Sequence, residues 1–271
     1  MKTPIALTIA GSDSGGGAGI QADLKTFTAY QVFGTSVITC VTAQNPSQIQ
    51  SIFPLPPKEV EAQLEAIFSW QPVGAVKTGM LYSSAILQAI SNFWKNLPDP
   101  PPLVIDPVMV STSGRLLLQE DAQSLLRAHL LPKATLITPN HREAELLGQA
   151  SIHSLSDMRR AAEQLHQQFG SAILVKGGHL PHQNQAIDVF YDGIDLLELA
   201  SPFLTLKRTH GTGCTLSAAI TAGLAQGWTL KESVRHAKTY LTSLLQQAIP
   251  LKDSSLLLHF QPHLELPPQK T

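Results

Sequence analysis

Cysteine is scarce in this chain: Cys40 and Cys214 are the only two in 271 residues. That excludes a disulfide framework and makes a reducing, cytoplasmic setting the expectation. Charge of either sign is scarce too. Charged residues make up 14%, and 19 Lys and Arg stand against 20 Asp and Glu, for a formal net charge of −1. Such a balance carries no electrostatic footprint for nucleic acid or an anionic membrane. No apolar run approaches the roughly 20 residues that cross a bilayer. Residues 5–10, after Met1-Lys2-Thr3-Pro4, faintly imitate a signal peptide. The run is short and passes straight into the glycines of residues 11–19, so it reads as a buried first strand. The familiar nucleotide and hydrolase signatures are missing as well. Gly15-Gly16-Gly17-Ala18-Gly19 lacks the Gly-Lys-Ser/Thr ending of a P-loop, no G-x-G-x-x-G spacing occurs, and there is no G-x-S-x-G elbow. An anionic substrate would have to be held by local devices: backbone amides, a metal ion or single cations.

What is present is a globular composition, 43% apolar, with length for a large core. Short β-rich runs at residues 5–10, 35–42, 75–78, 103–106, 135–138 and 172–176 alternate with amphipathic segments at 20–31, 58–70, 83–95, 121–129, 142–148 and 156–169. Ser156-Asp157 reads as the cap of the last of these and Gly170 as its stop. The alternation predicts βαβ units, an α/β fold with a mostly parallel sheet and helices on both faces. Residues 187–191 and 194–200, joined by Asp192-Gly193, predict a hairpin with a tight turn. Helices at 213–226 and 230–247 follow, and the tail from about residue 261 is expected to be loosely ordered. The prolines at 54, 56 and 57 and those between 98 and 102 (98, 100, 101 and 102) sit inside the strand–helix rhythm as loops, so residues 1–271 read as one domain without internal repeats. Trp70, Trp94 and Trp228 read as helix–sheet packing and Cys40 as core.

Ligands of such sheets bind beyond the carboxyl ends of the strands. Chemically suggestive residues stand just there: residues 11–19, Gln44-Asn45, Thr78-Gly79-Met80, Asp106-Pro107-Val108, Thr138-Pro139-Asn140 and Lys176-Gly177-Gly178. The segment Arg208-Thr209-His210-Gly211-Thr212-Gly213-Cys214-Thr215 runs into a helix. Its glycines let successive N–H groups turn inward, and the helix N-terminus adds partial positive charge, which together form an anion hole. Phosphoryl transfer needs donors of this type. Cys214, on the first helical turn, is expected to have a depressed thiol pKa and to be able to act as a base. The plainer reading, a small apolar residue where helix packs on sheet, loses ground only when the other post-strand residues are counted with it. Asp106 and Glu143 are candidate Mg²⁺ carboxylates. Glu143 equally fits a capping box with Asn140, and both readings stay open. Lys176 reads either as a cation for a nucleotide or as a strand exit. A thiol hydrolase built on Cys214 would need an orienting base, and only His210 is near in sequence.

These residues match a known family. The run from Ala10 to Asp23 (Ala10-Gly11-Ser12-Asp13-Ser14-Gly15-Gly16-Gly17-Ala18-Gly19-Ile20-Gln21-Ala22-Asp23) resembles the N-terminal signature of hydroxymethylpyrimidine/phosphomethylpyrimidine kinases of thiamine biosynthesis. So do Val41-Thr42-Ala43-Gln44-Asn45, Lys77-Thr78-Gly79-Met80-Leu81, Asp106-Pro107-Val108-Met109, Thr138-Pro139-Asn140, Val175-Lys176-Gly177-Gly178-His179 and Thr209-His210-Gly211-Thr212-Gly213-Cys214-Thr215. Several of these are shared with pyridoxal kinases of the same ribokinase-like superfamily. The resemblance implies a ribokinase-like three-layer sandwich, a homodimer, and two ATP- and Mg²⁺-dependent phosphorylations. The first acts on 4-amino-5-hydroxymethyl-2-methylpyrimidine and the second on its monophosphate; pyridoxal phosphorylation is the alternative. It implies that Asp23 and Gln44 bind the aminopyrimidine, with Gly11, Met80 and Val108 lining its pocket. Asp106, Asn140, Lys176, Asp188 and Lys238 would stand on the ATP side, Glu143 and Asp106 would hold the metal, Gly211 and Gly213 would form the anion hole, and Cys214 would occupy the base position. Most superfamily members place Asp where this chain has Cys214, which favours the pyrimidine branch.

Overall fold

The computed structural model describes residues 3–110, 116–178, 184–204, 209–251 and 255–260. Arg208 and His179 of the quoted motifs, and the tail from residue 261, lie outside these residues. Apolar runs become strands. β1 (Ile5–Asp13), β2 (Phe33–Asn45), β4 (Ala75–Thr78), β5 (Leu103–Ile105), β6 (Leu136–Ile137) and β7 (Ala172–Val175) pair in parallel in the order β2-β1-β4-β5-β6-β7. Three antiparallel strands extend the sheet. β3 (Gln48–Pro54) forms one edge beside β2, and β8 (Gln185–Tyr191) and β9 (Leu196–Pro202) form the other.

Neighbouring residues of each central strand face opposite layers, as a period of two dictates. Leu7, Ile9, Val76, Ile105 and Ile137 face one apolar cluster. That cluster is completed by helices α2 (Pro57–Trp70), α3 (Ser84–Asn96), α4 (Glu120–Leu125), α5 (His141–Gly148) and α6 (Leu155–Phe169). Ala6, Val104, Leu136 and Leu174 face the other cluster, shared with α1 (Gly19–Ala29), α7 (Thr212–Ala225) and α8 (Leu230–Gln246). The result is the three-layer α/β arrangement expected from the sequence. Being buried on both faces is why the central strands read as continuous apolar runs. No helix among the described residues is long and apolar enough to cross a membrane.

Several local expectations change. Ser154, not Ser156, caps α6 through the amide of Asp157, while Gly170 ends it at φ +72° as expected. The segment expected to be one helix at 121–129 is α4 followed by a wider turn over Leu126–Leu130. The link between β8 and β9 is four residues, 192–195, rather than a two-residue turn, because Asp192 Oδ1 accepts from the amides of both Ile194 and Asp195. β3 has no counterpart in the sequence reading. As an edge strand it is largely exposed, so its pattern lacks the apolar run of the central strands. Trp94 is core, but Trp70 is 56% exposed and meets the ring of exposed Phe33 edge-on at 6.0 Å. Cys40 is fully buried, as expected.

Leu87 on α3 is fully buried in the first cluster. Leu87→Ala should lower the free energy of unfolding by about 2–5 kcal/mol, measured by urea titration. A change below roughly 0.5 kcal/mol would contradict the packing described.

Candidate active site

The carboxyl ends of the parallel strands and the start of α7 enclose a cleft of about 520 Å³. Its lining includes Gly11, Gln44, Met80, Val108, Asp106, Asn140, Glu143, Lys176, Asp188, Lys238, Gly211, Gly213 and Cys214. Residues as far apart in sequence as Gly11 and Lys238 therefore meet at one site. Asp23 is the exception. It is fully buried on α1, its carboxylate accepting from Thr8 Oγ1 at 2.6 Å and from Lys77 Nζ at 2.8 and 2.9 Å. The role expected for it as a direct substrate ligand does not fit, because both oxygens are already engaged behind the cleft wall.

The loop that leads into α7 is built by close backbone approach. Gly211 caps α7 at φ +79°, and a Cβ there would stand 1.8 Å from the carbonyl oxygen of Gly17. Only glycine fits. Thr209 is tied to Leu256 by a bridge, which anchors the loop's entry. A Cβ on Gly213 would reach Lys176 Nζ at 3.3 Å and Asp106 Oδ2 at 3.4 Å. The first amides of α7 thus stand against an ion pair, Lys176 Nζ to Asp106 Oδ1 at 2.7 Å. Burial alone would lower the Lys176 pKa, but the charges of Asp106 and Glu143 reverse this and raise it.

Glu143 bears out one of its two readings, the helix cap, and stands where the other would place it. It completes the capping box, accepting from the Asn140 amide at 2.8 Å while Asn140 Oδ1 accepts from the Glu143 amide at 3.0 Å. It also lines the cleft. Burial pushes its carboxyl up to about 7, Lys176 opposes this and the charge of Asp106 adds to it. Such a group is short of positive charge, and a cation would supply it. Among the described residues no three or more ligating side chains cluster. The residues therefore suit an ion held by one or two carboxylates with waters and phosphates, which is how Mg²⁺ is commonly bound, and do not form an all-protein cage. On the far side Lys238 Nζ meets Asp188 Oδ2 at 2.9 Å, and Asp188 Oδ1 accepts from the Gly177 amide.

Cys214 departs from expectation. Burial pushes its thiol up to about 11, Lys77 pulls the other way, and Asp23 and Asp106 push it further up. The helix-start setting is real, but here desolvation and nearby carboxylates outweigh it. With its thiol raised in this way, Cys214 is predominantly the neutral thiol at neutral pH. Lys77, fully buried below, is held charged: burial would lower its pKa, and Asp23 more than offsets that.

Two residues escaped the sequence reading. Lys77 sat inside a quoted motif without a role. Asp13, likewise unassigned, organises the glycine run. Its Oδ1 accepts from the Gly15 amide, and its Oδ2 from the amides of Gly17 and Ala18 and from His210 Nε2 at 3.0 Å. Burial would raise this carboxyl, but His210, Ala18 and Gly15 hold it below its ordinary value. A carboxylate two to five residues ahead of a run of small residues is the signal that could have found it. His210 Nε2 is engaged by Asp13 and Gln44, so it does not serve as an orienting base for a nucleophilic Cys214.

A family model described as phosphomethylpyrimidine kinase matches residues 13–259. The hydroxymethylpyrimidine/phosphomethylpyrimidine kinase of Rhizobium meliloti is 48% identical over 247 residues, covering 91% of this chain and 92% of that one. The thiamine biosynthetic bifunctional enzyme TH1 of Arabidopsis thaliana is 47% identical, covering 90% of this chain; the chain spans about half, 47%, of that longer relative. The structure of Bacillus subtilis pyridoxal kinase in an ADP complex superposes with a TM-score of 0.89 at 38% identity, covering 97% of this chain and 100% of that one.

Lys77→Met leaves Asp23 buried without its counter-charge. Stability should fall by about 3–5 kcal/mol, and the double change Lys77→Met with Asp23→Leu should recover most of it. Chemical denaturation of the three proteins decides; a double variant no more stable than the single one contradicts the pairing.

Proposed function

This chain belongs to the phosphomethylpyrimidine kinase family, and from that premise we propose that it transfers the γ-phosphoryl group of ATP twice. The first acceptor is the hydroxymethyl group of 4-amino-5-hydroxymethyl-2-methylpyrimidine; the second is the resulting monophosphate, giving the diphosphate used in thiamine biosynthesis. The fold is ribokinase-like, and residues 1–271 act as one kinase domain in the cytoplasm. One observation carries the reading. Gly211, Gly213 and Cys214 share a single cleft with Gln44 on one side and with Asp106, Glu143 and Lys176 on the other.

In this reading the amides at the start of α7 receive the charge spread over the moving phosphoryl oxygens, and Lys176 neutralises part of it. Asn140, Asp188 and Lys238 line the nucleotide side, and Gly11, Met80, Val108 and Gln44 the pyrimidine side. Glu143 and Asp106 would hold Mg²⁺, which would supply positive charge to the phosphates. The exposed side chains Phe33, Val41, Phe53 and Trp70, on or beside the β2–β3 edge, support a homodimer through that edge.

The two steps ask different things of Cys214. An alcohol must lose a proton as it attacks; a phosphate monoester is already ionised near neutral pH. Cys214→Ala should therefore reduce kcat/KM for the pyrimidine alcohol by about 10²–10⁴-fold. The loss on the monophosphate should be less than about tenfold. Because burial raises the thiol, the thiolate fraction grows as pH rises, so the first step in wild type should accelerate above pH 7 and the Cys214→Ala protein should not follow it. Equal losses on both substrates remove the base role.

A second reading, pyridoxal kinase, is favoured by the superposition on the Bacillus subtilis enzyme. Specificity constants for the pyrimidine alcohol and pyridoxal, measured side by side with Mg·ATP, separate the two. Turnover of neither pyrimidine substrate rejects the main reading.

A further inference from the structure

One nitrogen in the cleft has two partners that it cannot satisfy together. His210 Nε2 lies 3.0 Å from Asp13 Oδ2 and 3.0 Å from Gln44 Nε2. A ring nitrogen carries either a proton or a lone pair. Asp13 is an acceptor: it takes three amides of the glycine run, and although burial would raise its carboxyl, His210, Ala18 and Gly15 hold it below its ordinary value. Nε2 must then carry the proton and donate to Asp13. With that proton in place, the Gln44 amide nitrogen meets a donor with a donor.

The surroundings leave one way out. The ring packs directly on Gly17, its Cδ2 standing 2.7 Å from where a Cβ there would lie. The Gln44 backbone is pinned on both sides by Ser14, whose hydroxyl donates to the Gln44 carbonyl at 2.9 Å and accepts from its amide at 2.8 Å. Only the side-chain amide is free to turn. At its other end Thr42 Oγ1 stands 3.2 Å from Gln44 Oε1 and 3.0 Å from the Ser12 carbonyl oxygen. If the Thr42 proton goes to Ser12, its oxygen is an acceptor for an amide N–H. Turning the Gln44 amide over removes the donor–donor clash: its N–H faces Thr42, and its carbonyl oxygen faces the His210 N–H, which it shares with Asp13 in a three-centre bond.

We propose that His210, with its Nε2–H shared between Asp13 and Gln44, is a positioning residue that locks the Gln44 amide with its carbonyl on the His210 side and its N–H on the Thr42 side. This fixes the order in which the cleft offers an acceptor and a donor. An aminopyrimidine edge carries the complementary pair, an exocyclic amine donor beside a ring-nitrogen acceptor. Reversing the amide reverses that order, and the ring would pair only when turned over, with its hydroxymethyl group on the wrong side. His210 also precedes Gly211, so the residue that sets substrate orientation is continuous with the phosphate-side loop. The inference rests on the pyrimidine kinase reading.

The test compares the pyrimidine alcohol with its analogue lacking the exocyclic amine. It uses kcat/KM, or the analogue's inhibition constant against the parent alcohol where its turnover is too slow. Wild-type turnover of the parent alcohol secures the underlying reading independently. Wild type should prefer the amine-bearing substrate by at least about tenfold, the effect of one well-made hydrogen bond. In His210→Phe and in the smaller His210→Ala the preference should collapse to within about threefold. In His210→Gln, which returns an N–H donor, it should persist. Thermal unfolding of each variant establishes that it is folded. The proposal is overturned if wild type shows no such preference, if the Phe and Ala variants keep it while losing rate on both compounds alike, or if His210→Gln discriminates no better than His210→Phe.

Discussion

The site depends on one close approach, the peptide of Gly17 lying against Gly211. A single methyl group on Gly211 would come within 1.8 Å of the Gly17 carbonyl oxygen. Through this contact the glycine run after β1 and the first turn of α7 become two walls of one cleft. Gln44 on one wall and Gly213 on the other are thereby held at fixed separation. Phosphoryl transfer has little covalent work for the protein to do, so positioning of this kind supplies most of what catalysis needs.

Around that contact, charge is arranged in layers. Three ion pairs, Asp23–Lys77, Asp106–Lys176 and Asp188–Lys238, lie buried or nearly so along the ends of the strands. Each leaves little net charge, which suits a chain with a formal charge of −1. The exception is Glu143, whose carboxyl is raised by burial and shares only part of Lys176's charge. The place short of positive charge is therefore local, and it lies in the cleft that Glu143 lines.

The same layering decides the chemistry of Cys214. A helix N-terminus favours a thiolate, and by itself that predicts a lowered pKa. Packing α7 onto the sheet removes the thiol from water and brings Asp23 and Asp106 near, and these effects win. Asp23 changes meaning for a related reason. A carboxylate in a motif suggests a ligand, but an inward-facing position on α1 makes it the counter-ion of Lys77.

The sequence by itself determined the strand–helix alternation, the parallel sheet and the post-strand positions of the site, because two-sided burial leaves apolar runs and the turns after them leave glycine, proline and asparagine. It also carried the capping box of Asn140 and Glu143, which lies within three residues. Only the tertiary structure decided what depends on distant partners. β3 is an edge strand with no apolar run to mark it. Trp70 is exposed although its helix is amphipathic. The roles of Asp13 and Lys77, the direction of the Cys214 shift and the crowding at His210 each arise from groups brought together across as many as 197 positions. Periodicity records which face of an element is buried; it does not record which charges the folded chain places beside it.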